Sequence, residues 1–280
     1  LDVTRTQVRA AVRFYAFLHE TPRGSFDILV SDNVTDRMLG NGRLLALLCE
    51  RLGVRPGVPR ADGRVTVGLT SCTGMCDQAP ALLVNGMAVT RLDPARMDRI
   101  ADLVEDGTPV AHWPGDFFRV DDNVRHAGLL LRNRATDASG LRTVLAMGAD
   151  AALAELERSG LRGRGGAGFT TALKWKTCRE AAGDERFVVC NADEGEPGTF
   201  KDRVLLTSYA DLVCEGMTLC ARVIGAKQGF LYLRGEYLYL REHLESVLSR
   251  RRLDGLLGRD ILGEPGFDFD ISIHLGAGAY

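Results

Sequence analysis

A chain of 280 residues is long enough for about two domains of ordinary size. Hydrophobic residues make up 45% of it, and a formal net charge of −2 gives no electrostatic basis for binding nucleic acid or an anionic membrane. No apolar run approaches the roughly 18 residues that a membrane span requires. Seven cysteines without a secretory signal indicate a reducing, cytoplasmic location in which thiols stay free or bind metals.

The first part of the chain alternates between helical and strand patterns. In order, the pattern predicts a helix over 4–20, a strand over 26–31, a helix over 37–53, a strand over 64–72, a hairpin over 81–92 and a helix over 93–107. This order favours a small thioredoxin-like α/β domain with a helical lead-in, over residues 1–107. Residues 108–124 contain two prolines and no clear period, so they are interpreted as a linker.

Helical and strand patterns alternate along residues 125–280. This alternation predicts a second, layered α/β domain. The predicted elements are a strand over 126–133, helices over 141–160 and 170–178, a strand over 186–190, a helix over 204–224, a strand over 229–237 and a helix over 240–252.

A glycine-rich stretch, "GLRGRGGAGF" over 160–169, carries the spacing G-x-G-x-x-G from Gly163 to Gly168. In an ordinary Rossmann fold this motif follows a strand, but here a helical pattern precedes it. Backbone N–H groups that lead into a helix can still bind an anion, and Arg162 and Arg164 add positive charge. We therefore interpret the stretch as a phosphate-binding loop of another fold; the alternative is a tight turn between helices.

Three further features point to one ligand. "NADEGEPG" over 191–198 follows a predicted strand, and "YLRGEY" over 232–237 and "LGAGAY" over 275–280 are two more strand-then-glycine stretches. Ligands of α/β sheets bind at the carboxyl ends of strands, so we expect these loops to converge. Lys174, shortly after the glycine loop, is within reach of a phosphate. The alternatives are a solvated acidic loop and a surface lysine.

Together, "GLRGRGGAGF…LKW", "NADEGEPGTFKDR", "YLRGEY" and "GAGAY" resemble the flavin- and NADH-binding subunit of respiratory complex I and its relatives. These relatives include NAD-reducing hydrogenases and NAD-dependent formate dehydrogenases. With a thioredoxin-like domain on the same chain, the pattern most resembles the alpha (diaphorase) subunits of NAD-reducing [NiFe] hydrogenases. The resemblance implies an FMN- and NADH-binding α/β domain, distinct from an ordinary Rossmann fold, that continues beyond residue 280 to a [4Fe–4S] site.

The resemblance also implies which residues hold the cofactors. Those implied around FMN are Gly163, Arg164, Gly165, Lys174, Asn191, Asp193, Glu194 and Tyr280. Those implied to face NAD(H) are Gly166, Ala167, Gly168, Phe169 and Glu196. Glu194 and Glu196 are the candidate catalytic residues, with Glu194 tuning the flavin electrostatically, because FMN itself supplies the hydride chemistry. No residue is predicted as a metal ligand.

The N-terminal domain resembles the small thioredoxin-like subunit that carries a [2Fe–2S] cluster. Its family ligands follow C-x4-C-x35-C-x3-C, and the same register here reads Ser31, Asp36, Cys72 and Cys76. Two thiolates are thus replaced by oxygen side chains, whereas Fe–S clusters are held by cysteine thiolates. We therefore predict a vestigial site without a cluster. The remaining cysteines are interpreted as small buried residues.

The predicted function is that of an NADH:acceptor oxidoreductase module, which exchanges hydride between NAD(H) and FMN and passes electrons to Fe–S centres in a hydrogenase. Its predicted partners are NAD(H), an Fe–S electron-transfer subunit and the hydrogenase subunits. Two alternatives stay open: the equivalent subunit of a formate dehydrogenase or complex I, and a non-catalytic docking subunit. A flavin-free dehydrogenase is disfavoured, because it would need a strand before Gly163 and an acid–base group near the loops.

Overall fold

A computed structural model describes residues 3–132 and 137–279 of the chain. Two separate β-sheets organise it, one in each half. One hydrophobic core lies within the N-terminal half, whereas the other combines the C-terminal half with Leu29, Leu83 and Ala88 of the N-terminal sheet. Both halves combine strands with helices, so the α/β class predicted from the sequence is confirmed.

The N-terminal half is built on a four-stranded sheet. Its elements are α1 (Arg5–Phe14), β1 (Phe26–Ser31), α2 (Val34–Met38), α3 (Asn41–Leu52), β2 (Val65–Thr70), β3 (Leu82–Val84), β4 (Met87–Val89) and α4 (Pro94–Glu105). The strand order is β2-β1-β3-β4, with β1 parallel to β2 and antiparallel to β3. Ile28 and Val30 of β1 and Leu48 of α3 are completely buried between sheet and helices.

Residues 108–124, interpreted as a linker, pack on this same core. Trp113 and Phe117 are only 4% and 5% exposed. The Trp113 ring stacks on Phe26 at 6.1 Å between centroids, and its Nε1–H donates to the Thr108 carbonyl at 2.9 Å. The segment is therefore part of the same hydrophobic core as α3 and α4.

The C-terminal half is built on a three-stranded parallel sheet in the order β5-β6-β7. Its elements are α5 (Leu129–Arg132), α6 (Ser139–Met147), α7 (Ala149–Ser159), α8 (Thr171–Glu180), β5 (Phe187–Ala192), α9 (Lys201–Ser208), α10 (Ala210–Ile224), β6 (Gln228–Leu233), α11 (Arg241–Leu253) and β7 (Asp270–Leu275). Asn191, Tyr232 and His274 are register partners across the sheet. The segments that follow the three strands therefore meet at one edge.

Several element predictions were wrong in type or length. The apolar run at 126–133 forms α5 rather than a strand, since a short apolar run does not distinguish the two; residue 133 lies outside the described ranges. The helix predicted over 37–53 is interrupted at Gly40, which has a φ of +86° that favours glycine. The helix predicted over 4–20 ends at Phe14, and the strand predicted over 229–237 ends at Leu233.

The helix predicted over 204–224 is two helices, because α9 and α10 meet at a bend of 95°. Cys214, Met217 and Ala221 on α10 are buried in the core of the C-terminal half. In the described ranges no single helix has both the length and the apolar composition to cross a bilayer, and only this bent pair does so when counted together.

Candidate functional site

The carboxyl ends of the parallel strands open into a cavity of about 780 Å³. Its walls come from the glycine-rich loop, the segment after β5, the start of α9 and the segment after β7. The lining residues are Arg164, Gly165, Gly166, Asn191, Asp193, Glu194, Gly195, Glu196, Thr199, Lys201, Asp202 and Ala279. Size and position are those of a small-molecule site in an α/β fold.

The glycine-rich loop presents bare backbone to this cavity. Its neck is closed by a hydrogen bond of 2.9 Å from the Gly163 N–H to the Phe169 carbonyl. Gly165 and Gly166 line the cavity, and no heavy atom lies within 4 Å of the place where a Cβ would stand on either residue. Gly166 also has a φ of +135°, which side chains avoid. The loop therefore leaves room for the close approach that a phosphate or a flavin requires.

The predicted site residues divide into two groups. The first group lines the cavity and consists of Arg164, Gly165, Gly166, Asn191, Asp193, Glu194 and Glu196. The second group does not line it and consists of Gly163, Ala167, Gly168, Phe169 and Lys174. The Lys174 Nζ lies 3.5 Å from the place where a Cβ on Gly163 would stand, so its ammonium is beside the neck of the loop. Tyr280 lies outside the described residues.

Glu194 lines the cavity, yet the start of α9 holds its carboxylate. Oε1 accepts a hydrogen bond from the Asp202 N–H at 2.7 Å, and Oε2 accepts from the Arg203 N–H at 3.2 Å and from the Tyr237 hydroxyl at 2.8 Å. The side chain is 0% exposed. An anion at a helix N-terminus is stabilised by the helix dipole. Glu194 can therefore act on a ligand through its fixed charge, whereas Glu196 is exposed on the same wall.

Asn191 and Asp193 lie where β5 ends. The Asn191 Oδ1 accepts from the Asp193 N–H at 3.0 Å, which fixes the turn out of the strand. Burial raises the pKa of the Asp193 carboxyl. The Asn191 side chain remains exposed on the cavity wall and is available to a ligand with hydrogen-bonding edges.

Thr199, Lys201 and Asp202 were missed as candidate residues, although "NADEGEPGTFKDR" contains all three. The Lys201 Nζ lies 2.6 Å from an Asp202 oxygen. Only the amide and the acids of this run were predicted to lie in the site. The turn from Thr199 into α9 places Lys201 on the cavity wall. No hydrophobic periodicity in the sequence predicts this turn.

Behind the wall, two buried arginines join the halves of the chain. The Arg203 Nη2 donates to Asp77 at 2.8 Å, and the Arg234 Nη1 donates to the Glu194 carbonyl at 2.7 Å. Arg234 also donates to the Cys72 carbonyl and forms an ion pair of 2.9 Å with Glu236. Each arginine is 1% exposed. The cavity wall is therefore built against the Cys72–Asp77 loop of the N-terminal half.

A second contact between the halves holds the segment after β7. The N–H groups of Ala16 and Phe17 donate to the carbonyls of Gly278 and Ala277 at 2.9 and 3.1 Å. Gly278, with a φ of +76°, packs directly on Ala16. The turn after α1 thus supports the wall to which Ala279 belongs.

The positions that match the family's cluster ligands do converge in space. The Ser31 hydroxyl donates to Asp36 at 2.8 Å, and the Cys72 and Cys76 sulfurs are 3.5 Å apart. The Asn33 amide lies among them, donating to Ser31 and Cys72 at 3.2 Å and to Cys76 at 3.5 Å.

Hydrogen bonding and burial set the charge states at these positions. The hydrogen bond with Cys76 lowers the pKa of the Cys72 thiol to about 6 and raises that of Cys76, and burial raises the pKa of Asp36. Within the described ranges no group of three or more His, Cys, Asp or Glu side chains is arranged to hold a metal. With two oxygen side chains and an amide among the sulfurs, these residues do not fit a [2Fe–2S] cluster.

Comparison with known families separates the two halves. Residues 156–280 match the Nuo51 FMN-binding domain, and residues 1–105 match the thioredoxin-like [2Fe–2S] ferredoxin domain. The chain joins a thioredoxin-like domain to a Nuo51 FMN-binding domain. The predicted fold class is therefore confirmed, and the glycine loop belongs to an FMN-binding domain rather than an ordinary Rossmann fold.

Individual relatives match all or part of the chain. The HoxS alpha subunit of the NAD-reducing hydrogenase of Cupriavidus necator is 41% identical over 100% of this chain and 48% of its own length. The mitochondrial 51 kDa subunit of the NADH-ubiquinone oxidoreductase of Neurospora crassa is 36% identical over 63% of this chain and 38% of its own. The crystal structure of an NAD+-reducing [NiFe]-hydrogenase in the H2-reduced state matches 99% of this chain and 47% of its own, with a TM-score of 0.90 and 41% identity. The chain thus spans about half the length of the HoxS alpha subunit.

Proposed function

We propose that this chain is the FMN- and NADH-binding part of a diaphorase that works within an NAD-reducing hydrogenase. The observation that carries the proposal is the convergence of the glycine loop, the acidic segment and the segment after β7 on one cavity. Identity of 41% with a HoxS alpha subunit over 100% of this chain supports the hydrogenase over a formate dehydrogenase or complex I.

The chain's own residues would bind and orient the cofactors. FMN, when bound, supplies the exchange of hydride with NAD(H) and the release of single electrons. The Gly165 and Gly166 backbone would allow the ligand's close approach, and Arg164 and Lys201 would face its phosphate as fixed cations. The buried Glu194 carboxylate disfavours added negative charge nearby. Glu196, exposed on the wall, would face NAD(H).

The proposal extends to organisation and partners. Residues 1–107 would form the thioredoxin-like domain with its lead-in, 108–124 the connection and 125–280 the cofactor-binding domain. NAD(H), an Fe–S electron-transfer subunit and the hydrogenase subunits would be the partners, in the cytoplasm, with electrons leaving through a [4Fe–4S] site. This assignment is supported by the relatives, which are subunits of an NAD-reducing hydrogenase and of an NADH-ubiquinone oxidoreductase.

Purification of the full chain tests the function directly. We expect stoichiometric FMN in the purified chain, and FMN-dependent reduction of an artificial acceptor such as ferricyanide by NADH. A chain that neither retains nor takes up FMN would contradict the proposal. A chain that binds FMN but is not reduced by NADH would favour the docking subunit.

Lys174→Ala is expected to weaken FMN or NADH binding, more so at low ionic strength. Its ammonium lies beside the neck of the glycine loop, where it acts on a phosphate as a point charge that salt screens. Lys176→Ala is the matched control, since Lys176 is an exposed lysine on the same helix. Titration of FMN and NADH at two salt concentrations measures the effect. Equal affinities for Lys174→Ala and the control would exclude this role.

The N-terminal domain is expected to carry no [2Fe–2S] cluster, because Ser31 and Asp36 replace two thiolates and the Asn33 amide lies among the sulfurs. Electron paramagnetic resonance of the reduced domain should show no [2Fe–2S] signal. Ser31→Cys with Asp36→Cys should restore one, and more fully with Asn33→Ser, since serine can still cap α2 without the amide. A stoichiometric cluster in the unmodified domain would overturn this prediction.

A further inference from the structure

We propose that Cys72 and Cys76 form a reversible dithiol–disulfide pair, oxidised by a low-molecular-weight disulfide, whose state is transmitted to the cofactor cavity through Gly198. The pair stands at two positions of a site that does not fit a cluster, so these thiols are not committed to iron. The inference rests on the proposed function in one respect: its effect is measured as a change in the KM for NADH.

The geometry favours a bond between the two sulfurs. They are 3.5 Å apart, and a disulfide needs about 2.05 Å, so the two sulfurs must approach each other by roughly 1.5 Å. Cys72 is 0% exposed, whereas Cys76 is partly exposed. A small disulfide can therefore reach Cys76 first, and Cys72 is placed to complete the reaction.

The exchange balances without another reactant. As the Cys76 thiol passes its proton to the Cys72 sulfur 3.5 Å away, the Cys76 sulfur attacks one sulfur of a molecule R–S–S–R, which forms a mixed disulfide and releases one R–S⁻ that is protonated to R–SH. The Cys72 sulfur then attacks the Cys76 sulfur, which forms the internal disulfide and releases the second R–SH. The two thiol protons leave on the two released thiols, and an excess of R–SH reverses both steps.

Backbone and side-chain donors hold the reduced pair in place. The Gly74 N–H donates to the Cys72 sulfur at 3.4 Å, and Asn33 donates to both sulfurs. The Gly198 N–H donates to the Cys76 sulfur at 3.1 Å. This last donor comes from the other half of the chain and is thus the route from the thiol pair to the cavity.

Gly198 lies in a tight turn of the cavity wall. The Thr199 N–H donates to the Glu196 carbonyl at 3.1 Å, and both residues line the cavity. Gly198 has a φ of +90°, so the turn is specific to glycine. When the disulfide forms, the Cys76 sulfur moves towards Cys72 and away from the Gly198 N–H. The turn then loses its anchor, and the position of Glu196 on the wall is no longer fixed.

The expected effect is a rise in the KM for NADH of about fivefold on oxidation, which corresponds to the loss of about one hydrogen bond. The full chain loaded with FMN is equilibrated with mixtures of reduced and oxidised glutathione, and its NADH kinetics are measured at each ratio. Acid quenching, alkylation and peptide mass spectrometry then report the fraction of Cys72–Cys76 disulfide. The KM should follow this fraction and return to its starting value with dithiothreitol.

Two variants make the test specific. Cys76→Ser retains an oxygen acceptor for the Gly198 N–H but cannot form the disulfide, so its KM should not respond to oxidised glutathione. Cys49→Ser removes a buried thiol of the N-terminal core and should respond like the unmodified chain. Agreement of both with expectation supports the proposal.

Three results would overturn it. The first is alkylation of both thiols at every glutathione ratio, and the second is a disulfide that leaves the KM unchanged. The third is iron with labile sulfide on these cysteines. Failure of the reduced chain to bind FMN or oxidise NADH would instead refute the proposed function, because the mass measurement of the disulfide does not depend on either activity.

Discussion

Gly165→Val is expected to leave the purified chain nearly free of FMN. The glycine lines the cavity, and the new Cβ would meet nothing of the protein within 4 Å, so the chain itself can accommodate valine. The added methyl groups would occupy space that the ligand needs. Overpacking of this kind costs about 1–3 kcal/mol, which weakens FMN binding roughly 5- to 160-fold. The ratio of flavin absorbance to protein absorbance measures the loss.

Gly115→Val is the control for this substitution. Gly115 is exposed, is distant in sequence from every cavity-lining residue, and also has no heavy atom within 4 Å of the Cβ position. It should retain the flavin content of the unmodified chain. If Gly165→Val also retains it, the glycine loop does not contact FMN and its placement in the site is wrong.

Glu236→Ala is expected to lower the free energy of unfolding by about 3–5 kcal/mol. The Glu236 carboxylate receives the Arg234 guanidinium through two hydrogen bonds, of 2.9 and 3.2 Å, and both side chains are 2% exposed. Removal of the carboxylate takes the counter-ion from a buried cation, which keeps its hydrogen bonds to the carbonyls of Cys72 and Glu194 and its position 5.6 Å from the centroid of the Tyr237 ring. Urea denaturation followed by circular dichroism measures the difference.

The exposed pair of Arg241 and Glu245 provides the matched comparison. Its charged atoms are 3.9 Å apart, and the side chains are 54% and 47% exposed. Glu245→Ala should change the free energy of unfolding by about 0.5 kcal/mol or less, because solvent screens such pairs. Equal losses for the two substitutions would show that the Arg234 pair contributes no more than a surface pair.

The sequence allowed prediction where the signal is local. The hairpin at Asn85-Gly86 and the helix that Asp93 caps form as expected, because turn and cap residues act within a few positions. The helical pattern before Gly163 was sufficient to reject an ordinary Rossmann fold. The short apolar run that became α5 carried no such signal and was assigned to the wrong class.

Contacts between the halves could not be predicted in the same way. Asp77 and Arg203, or Cys76 and Gly198, are more than about 100 residues apart and share no period or turn chemistry. The acidic segment was predicted to be part of the site, and its residues line the cavity. The start of α9 holds the Glu194 carboxylate through two backbone N–H groups. This contact depends on how the chain turns after Thr199, which is seen only in the folded structure.

The hydrogen bonds from Ala16 and Phe17 to Gly278 and Ala277 join backbone groups about 260 residues apart. Contacts of such long range form slowly, since a large loop must close before they contribute. During synthesis, the turn after α1 has no such partner until the third parallel strand has left the ribosome. This wall of the cavity therefore closes late in folding, and a flavin that meets the growing chain finds no finished pocket.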